Sequence, residues 1–420
     1  MNVRAGSGID IHVLEHADIE HRACPVCGGK SSELLFRQSF RALQKIGLLE
    51  GYDVVVCQCC VMTFADGIPA QRTFDAYYRD LSKYAYEHRG GKESEEDDWR
   101  LRQVAEVLQR YLSDRSARIL DIGSRSGRLV RYLKDAGYEN AFGLGPSPNC
   151  SAAAQSLYGV TVYTGTVSAP PRSNQPYEML VMLGVLEHIR DVDAAVQGLH
   201  RLLSNEGRVY VEVPDATSYV AEQDAPFQEF STEHINFFSP TALRYLMEAA
   251  GFRTVECGSA TRKERGGRPL PFVYGVFERS NQTRAEFPRH PEAEAGLRVY
   301  VKQCLAMDTE LRRRIDRTIT PASRVIVWGV GTHTQRLLAT GALNIANIVT
   351  FVDSNPKYRN QQLQGIPVVA PEALKNRREP ILISSYAFRR EIAKQIRTMK
   401  LPNELILLHP EDCAAGSDTA

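Results

Sequence analysis

No apolar run in this 420-residue chain reaches the roughly 18 residues that a membrane-spanning helix needs. A charge excess is missing as well. Lys+Arg number 51 against Asp+Glu 50, and a net charge of +1 removes the electrostatic case for nucleic acid. The opening stretch MNVRAGSGIDIHVLEHADIE lacks the basic segment and following apolar segment of a secretory signal. These absences point to a cytoplasmic chain with neither membrane nor nucleic acid among its partners. What remains is an ordinary globular composition, 43% hydrophobic and 24% charged, long enough for two or three domains. Nine cysteines in a reducing compartment read as metal ligands or buried thiols rather than disulfides.

Four of the cysteines form two C-x-x-C pairs, CPVC at Cys24 and Cys27 and CQCC at Cys57 and Cys60, with Cys59 as bystander. Each pair suits a turn that aims two thiolates at one tetrahedral Zn²⁺. Four thiolates leave no open position, so the metal would be structural. Strands over SELLFRQSF and YDVVVC would complete a zinc ribbon; the alternative is four buried thiols without metal.

Helical periodicity over about 94–112 starts at Ser94, a suitable N-cap with acids behind it. LDIGSRSGRLVRYLKDAGYENAFGLGPSP, residues 120–148, then reads as a strand, a tight turn from Gly123 to Gly127, a helix from Arg128 and a strand from Ala141 to Leu144. A nucleotide-binding domain carries a ribose-gripping acid next; here the residue is Gly145. Strands at 177–183 and 207–214 continue a βαβ rhythm. A helix follows, capped by Ser239, with Pro240 at its first position and Gly251 past its end. FRTVECGSA and LPFVYGVFER would close a mostly parallel sheet with an antiparallel edge. A polar linker leads to a long helix over about 293–317.

A second α/β unit begins at 323. Gly329 and Gly331 follow its first strand and Asp353 its second, but Thr334 replaces the third glycine and His333 crowds the turn. That partial fingerprint favours a structural or substrate-docking lobe over a dinucleotide site. The expected α/β organisation is a zinc ribbon over 20–70, a connecting segment over 71–95 and a central domain over 96–282. A linker and long helix over 283–320 and a C-terminal domain over 321–412 complete it.

Glycines at a strand-to-helix turn let a ligand approach the backbone. Asp121, two residues ahead of Gly123, suits the ammonium of S-adenosylmethionine (SAM). In order, CPVC…CQCC, LDIGSRSG, LGVLEHI, EHINFFSP and the second Gly-rich unit resemble the three-domain, zinc-binding, SAM-dependent methyltransferases. Sugar C-methyltransferases of deoxysugar pathways are the best-known members. The similarity spans about residues 20–410. It implies a class I Rossmann-like central domain and a second Rossmann-like domain that helps hold a nucleotide-linked sugar. It also implies cofactor contacts at Asp121, Gly123, Ser124 and Gly127, with Glu187 and His188 beside the methyl donor. His234 would be the general base and Glu233 its neighbouring acid, and Tyr84 and Tyr86 would reach over the active site. SSYAF, with Tyr386, is expected in the cleft lining.

Apart from any resemblance, the His234 imidazole has an ordinary pKa of ~6.5 and can accept a proton near neutrality, which a methyl acceptor must lose. The bland alternative is a connector whose histidine bonds a carbonyl. Three features depart from the family: Gly145, Ser231 where the sugar C-methyltransferases usually hold a tyrosine, and GTVSAPP (165–171), which lacks an acid for the adenine amino group. Ser147 or Asn149 can reach the ribose from one turn on. The expected function is SAM-dependent C- or O-methylation of a nucleotide-activated sugar, with SAM and structural Zn²⁺ as cofactors. Its rivals are proton-transfer chemistry through His234 on the same fold and a non-catalytic binding subunit.

Overall fold

The computed structural model describes residues 19–44, 46–81, 92–171, 175–222, 225–263, 269–284 and 286–409. They fall into two compact units. One takes the chain up to Leu34, Val54–Ser218 and Ile235–Glu294; the other takes Leu35–Asp53, Tyr219–His234 and the residues from Ala295 on. No described helix is long and apolar enough to cross a membrane.

The first unit is built on a seven-stranded sheet. Its strands are β1 (Ile119–Ile122), β2 (Ala141–Gly145), β3 (Val162–Thr164), β4 (Tyr177–Leu183), β5 (Leu203–Pro214), β6 (Phe252–Lys263) and β7 (Pro269–Arg279), in the order β6-β7-β5-β4-β1-β2-β3. β1 pairs in parallel with both β2 and β4, and β5 in parallel with β4; β7 runs antiparallel to β5 and to β6. The mostly parallel sheet with an antiparallel edge is therefore present. Its central strands are buried along their length, as both-face coverage by helices demands. The chain runs outward from β1 to β3 and crosses back to β4, so the strand order reverses between β1 and β4. Ligand crevices form at such a reversal, outside the carboxyl ends of the strands.

Local signals place the helices. The Ser94 side chain accepts from the N–H of Asp97, and Glu95, Glu96, Asp97 and Asp98 fill the first turn of helix Glu95–Leu108. This helix ends four residues before the expected 112, because Arg110 and Tyr111 donate to Val107 and Leu108 and tighten the last turn. Ser239 accepts from Ala242, and Pro240 opens helix Pro240–Ala249.

The cysteine segments do not form a separate core. Cys24, Val26, Cys57, Cys60, Met62 and Phe64 belong to the same buried cluster as Leu120, Leu180 and Val211 of the sheet.

The second unit carries a six-stranded sheet of β8 (Val325–Trp328), β9 (Ile348–Val352), β10 (Gln362–Leu363), β11 (Ile366–Val369), β12 (Ile381–Ile383) and β13 (Leu405–Leu407), ordered β10-β11-β9-β8-β12-β13. All pairs are parallel except β10 with β11. The expected strand over ILISSYAF stops at Ile383; Ser384 gives its N–H to Trp328, and the chain then turns into helix Arg389–Thr398. Asp353 accepts from the N–H groups of Val330 (3.1 Å) and Asn355 (2.9 Å). Its carboxylate is thus engaged with its own backbone at the glycine turn.

Candidate functional site

The turn after β1 is shaped by two glycines that nothing else replaces. Gly123 (φ 81°) and Gly127 (φ 80°) are left-handed, and a Cβ on either would press into Val185 Cγ2 at 2.5 Å or Val160 Cγ2 at 2.7 Å. Backbone bonds close the turn. Gly123 and Ser124 both donate to the Leu144 carbonyl (2.8 and 3.1 Å), and Gly127 donates to Ser124 (2.8 Å). Between the glycines stands Arg125, itself left-handed at φ 49°, a conformation that costs a non-glycine residue on the order of 1 kcal/mol or more.

A cleft of about 970 Å³, including its open mouth, lies at the carboxyl ends of β1, β2 and β4. β1 contributes Ile122 and the turn Gly123 and Arg125; β2 contributes Leu144 to Ser147; β4 is followed by Gly184, Val185 and His188. Gly165 to Ser168 line it after β3, with no acid among them. Of the expected cofactor residues, Gly123 and Ser147 reach the wall. Asp121, Ser124, Gly127 and Glu187 do not; Asp121, Ser124 and Glu187 are buried beside it in the chain.

Two of these are carboxyls without solvent. Burial pushes Asp121 up to about 7, against the Ser124 hydroxyl and the charges of Arg125 and Arg100. Burial pushes Glu187 up to about 7 as well, opposed by its own backbone N–H, Arg100 and Arg125. Each acid is poised to ionise when a cation arrives. Glu187 Oε2 and the Ser147 hydroxyl are buried with no hydrogen-bond partner among the described residues. At Gly145 an added Cβ would meet nothing within 4 Å. Unspent polar atoms, poised acids and free space beside a glycine turn fit SAM. Asp121 and Glu187 suit its cationic end, Ser147 its ribose, and Thr166 to Ser168 its base.

His188 lines the cleft, with Nδ1 3.0 Å from the Tyr78 hydroxyl and Nε2 3.9 Å from Glu187 Oε1. Tyr78 escaped the sequence reading, as did Gln71 and Asp75. All three line the cleft from helix Gln71–Asp80, on one face at i, i+4 and i+7 spacing. That spacing was the available signal. Tyr84 and Tyr86 lie outside the described residues. Arg22 was also missed. It donates to the carbonyls of Ala65, Arg190 and Ile235 and to Asn236 Oδ1, and burial lowers its pKa to about 9. Asn236 in turn holds the Leu186 and Ile189 carbonyls, and Ile235 donates to the Glu187 carbonyl at 2.8 Å. Arg22 thus ties the LEHI turn to the segment that follows His234.

Glu233 and His234 close the Tyr219–His234 stretch of the second unit, where both N–H groups donate to Ser231 Oγ (3.3 and 3.1 Å). Ser231 is thereby a turn former. Tyr386 also sits in the second unit, edge-on to His409 (5.0 Å between centroids) with the Arg389 guanidinium 3.8 Å over its ring.

The sulfur atoms of Cys24, Cys27, Cys57 and Cys60 lie within 4.8 Å of one another, at 3.6 Å for Cys24–Cys60 and 3.5 Å for Cys27–Cys57. A tetrahedral Zn²⁺ with bonds of about 2.3 Å needs about 3.8 Å between sulfurs. The two turns match. Cys24 and Cys57 donate to Gly29 and Met62, Gly28 and Val61 donate back to Cys24 and Cys57, and Gly28 (φ 68°) and Val61 (φ 58°) are both left-handed. Hydrogen bonding among the thiols pushes Cys24 and Cys60 up and Cys57 down, so four thiolates together require a cation. The donor set fits zinc, and Cys59 is exposed outside it.

Residues 97–257 match the family model described as a methyltransferase domain, and 321–407 the one described as C2185-like, N-terminal. The C-methyltransferase NovU of Streptomyces niveus is 24% identical over 269 residues, 60% of this chain and 62% of its own; the match thus spans less than two thirds of that relative. Among solved structures, a complex of the Haloferax volcanii Trm112 methyltransferase activator with a putative methyltransferase matches at 17% identity. It covers 45% of this chain and 92% of that one, with a TM-score of 0.38. A Burkholderia thailandensis 1,6-didemethyltoxoflavin-N1-methyltransferase, with S-adenosylhomocysteine bound, matches at 19% identity over 44% of this chain and 80% of its own, with a TM-score of 0.35. Residues 97–257 thus carry the match to a methyltransferase domain.

Proposed function

We propose that this methyltransferase domain carries a methyl group from SAM to carbon or oxygen of a carbohydrate, with a nucleotide-linked sugar as the acceptor class. The observation that carries the reading is the cleft at the β1–β4 reversal, where the glycine turn, the buried Asp121 and Glu187 and the unspent Ser147 hydroxyl lie together. When bound, SAM supplies an electrophilic methyl group on a cationic sulfur. The chain has to hold it, strip a proton from the acceptor and keep water out. Asp121 and Glu187 offset the donor's positive charges, and Ser147 takes a ribose hydroxyl. His234 removes the acceptor proton, with Glu233 beside it to orient the imidazole or a sugar hydroxyl.

Likeness to a protein named as a C-methyltransferase favours carbon over oxygen as the acceptor atom. Ser231, tied to the backbone of Glu233 and His234, supplies no phenol there. The four-cysteine cluster holds a structural Zn²⁺, and the second unit docks the nucleotide portion of the acceptor. The test is transfer of labelled methyl from SAM to a panel of nucleotide-linked sugars, with wild type beside His234→Ala. Incorporation by wild type and a loss of about 10²-fold or more in the variant support the reading; full turnover by His234→Ala removes the base from His234.

A further inference from the structure

We propose that Cys59 is a resolving thiol for the four-cysteine cluster: it traps oxidised Cys27 as a disulfide and so opens the metal site when hydrogen peroxide attacks. This rests on the reading above that the cluster holds Zn²⁺. The sequence puts Cys59 between two of the ligands, and the fold brings it beside a third. The Gln58 N–H donates to the Ser31 carbonyl (3.0 Å) and the Ser31 hydroxyl to Gln58 Oε1 (2.6 Å). These bonds lay the second cysteine turn against the chain just after the first, where Gly29 stands. A Cβ on Gly29 would lie 3.1 Å from Cys59 Sγ, 3.3 Å from Cys27 Sγ and 3.5 Å from Cys57 Sγ. A residue without a side chain thus gives three sulfurs room around one point.

Exposure sets two of the five thiols apart. Cys24, Cys57 and Cys60 are buried, Cys27 is half-buried and Cys59 is exposed. An oxidant therefore reaches the ligand set at Cys27, whose sulfur, as a metal ligand, is already a thiolate. The Cys27 thiolate attacks one peroxide oxygen: the S–O bond forms, the O–O bond breaks, and the displaced hydroxide takes a proton from solvent. The Cys59 sulfur then attacks the Cys27 sulfenic sulfur. The S–S bond forms, the S–O bond breaks, and the Cys59 proton leaves with the hydroxyl as water. The two cysteines lose two electrons, and hydrogen peroxide is reduced to two waters. Cys57 is also near Cys27, at 3.5 Å, but it is buried, is itself a ligand, and accepts the Cys59 N–H at 3.4 Å. Cys59 has no ligand role to give up. With Cys27 in a disulfide only three thiolates remain, and a four-coordinate site loses its hold on the ion.

The experiment treats the full, zinc-loaded chain with a small excess of hydrogen peroxide. A chromogenic chelator reads released zinc, and peptide mass spectrometry maps the disulfides. Before oxidation, wild type and Cys59→Ser should hold the same amount of zinc and melt at the same temperature. Wild type should then release the metal about tenfold or more faster than Cys59→Ser, and its main disulfide should join Cys27 to Cys59. A thiol reductant with added zinc should restore wild type, whereas Cys59→Ser should have gone on to sulfinic acid at Cys27. Equal release by the two proteins, or a main disulfide joining Cys27 to Cys57, overturns the proposal. A chain that takes up no zinc removes the metal reading, and the presence or absence of the Cys27–Cys59 link then decides the role of Cys59 by itself.

Discussion

The Tyr78 hydroxyl stands 3.0 Å from Nδ1 of His188, and both side chains line the cleft. Their rings meet edge to face at 5.7 Å. The helix that carries Tyr78 is anchored to the loop beyond His188, because Gln71 Oε1 accepts from the N–H of Asp191 at 2.9 Å. The phenol therefore fixes the imidazole's rotation, and with it the direction of Nε2 toward Glu187.

Tyr78→Phe removes that constraint while keeping the ring packing. A neutral hydrogen bond is worth about 1 kcal/mol, so turnover is expected to fall about fivefold. The affinity for SAM should stay within twofold. Initial rates and titration of the same preparation check it; unchanged turnover removes the positioning role.

Gly145→Asp should strengthen donor binding. The strand end has room for a Cβ, Gly145 is not left-handed, and a carboxylate there is a charged acceptor for the ribose hydroxyls. A hydrogen bond to a charged group contributes about 1.5–3 kcal/mol, or roughly ten- to a hundredfold in Kd. Calorimetry reads it, and weaker binding by the variant refutes the ribose placement.

Donor binding should release protons. Asp121 and Glu187, buried beside the cleft, are pushed up to about 7, well above their ordinary values of 3.8 and 4.5, so below pH 7 both are largely neutral. A cationic ligand favours their charged forms and lowers both pKa values, so affinity rises with pH through about 5 to 7 and then levels. The sign for folding is opposite. Acids raised in the folded state favour the fold at low pH, and that contribution is lost as pH climbs from about 4 through 7. Calorimetry in buffers of different ionisation heat should show net proton release at pH 6, reduced in Asp121→Asn; proton uptake contradicts the assignment.

One zinc per chain is expected by metal analysis. Cys24→Ser and Cys60→Ser should lose it and lower the melting temperature of the first unit, because both cysteines sit in the core shared with the sheet. Cys59→Ser, altering an exposed residue, should keep the metal. Retained zinc in Cys24→Ser would disprove the ligand set.

The strand and helix sequence of the central domain was legible because its signals are local: buried apolar strands, the Ser94 and Ser239 caps, and glycines at turns that exclude a Cβ. The cysteine quartet was legible from spacing alone. Features made by tertiary approach were hidden. Arg22 gathers partners from three distant segments, and nothing in its neighbourhood in sequence announces them. Tyr78 carried a weak helical signal with Gln71 and Asp75, overshadowed by the tyrosines at 84 and 86. The raised carboxyls of Asp121 and Glu187 follow from burial, which only the assembled sheet provides. Asp353 shows the reverse: its position imitates a ribose acid, while its carboxylate is engaged with Val330 and Asn355.

The most direct measurement is equilibrium titration of the wild-type chain with SAM. One site per chain with a Kd in the micromolar to submillimolar range is the predicted result. No saturable binding at millimolar SAM would contradict the account at its root.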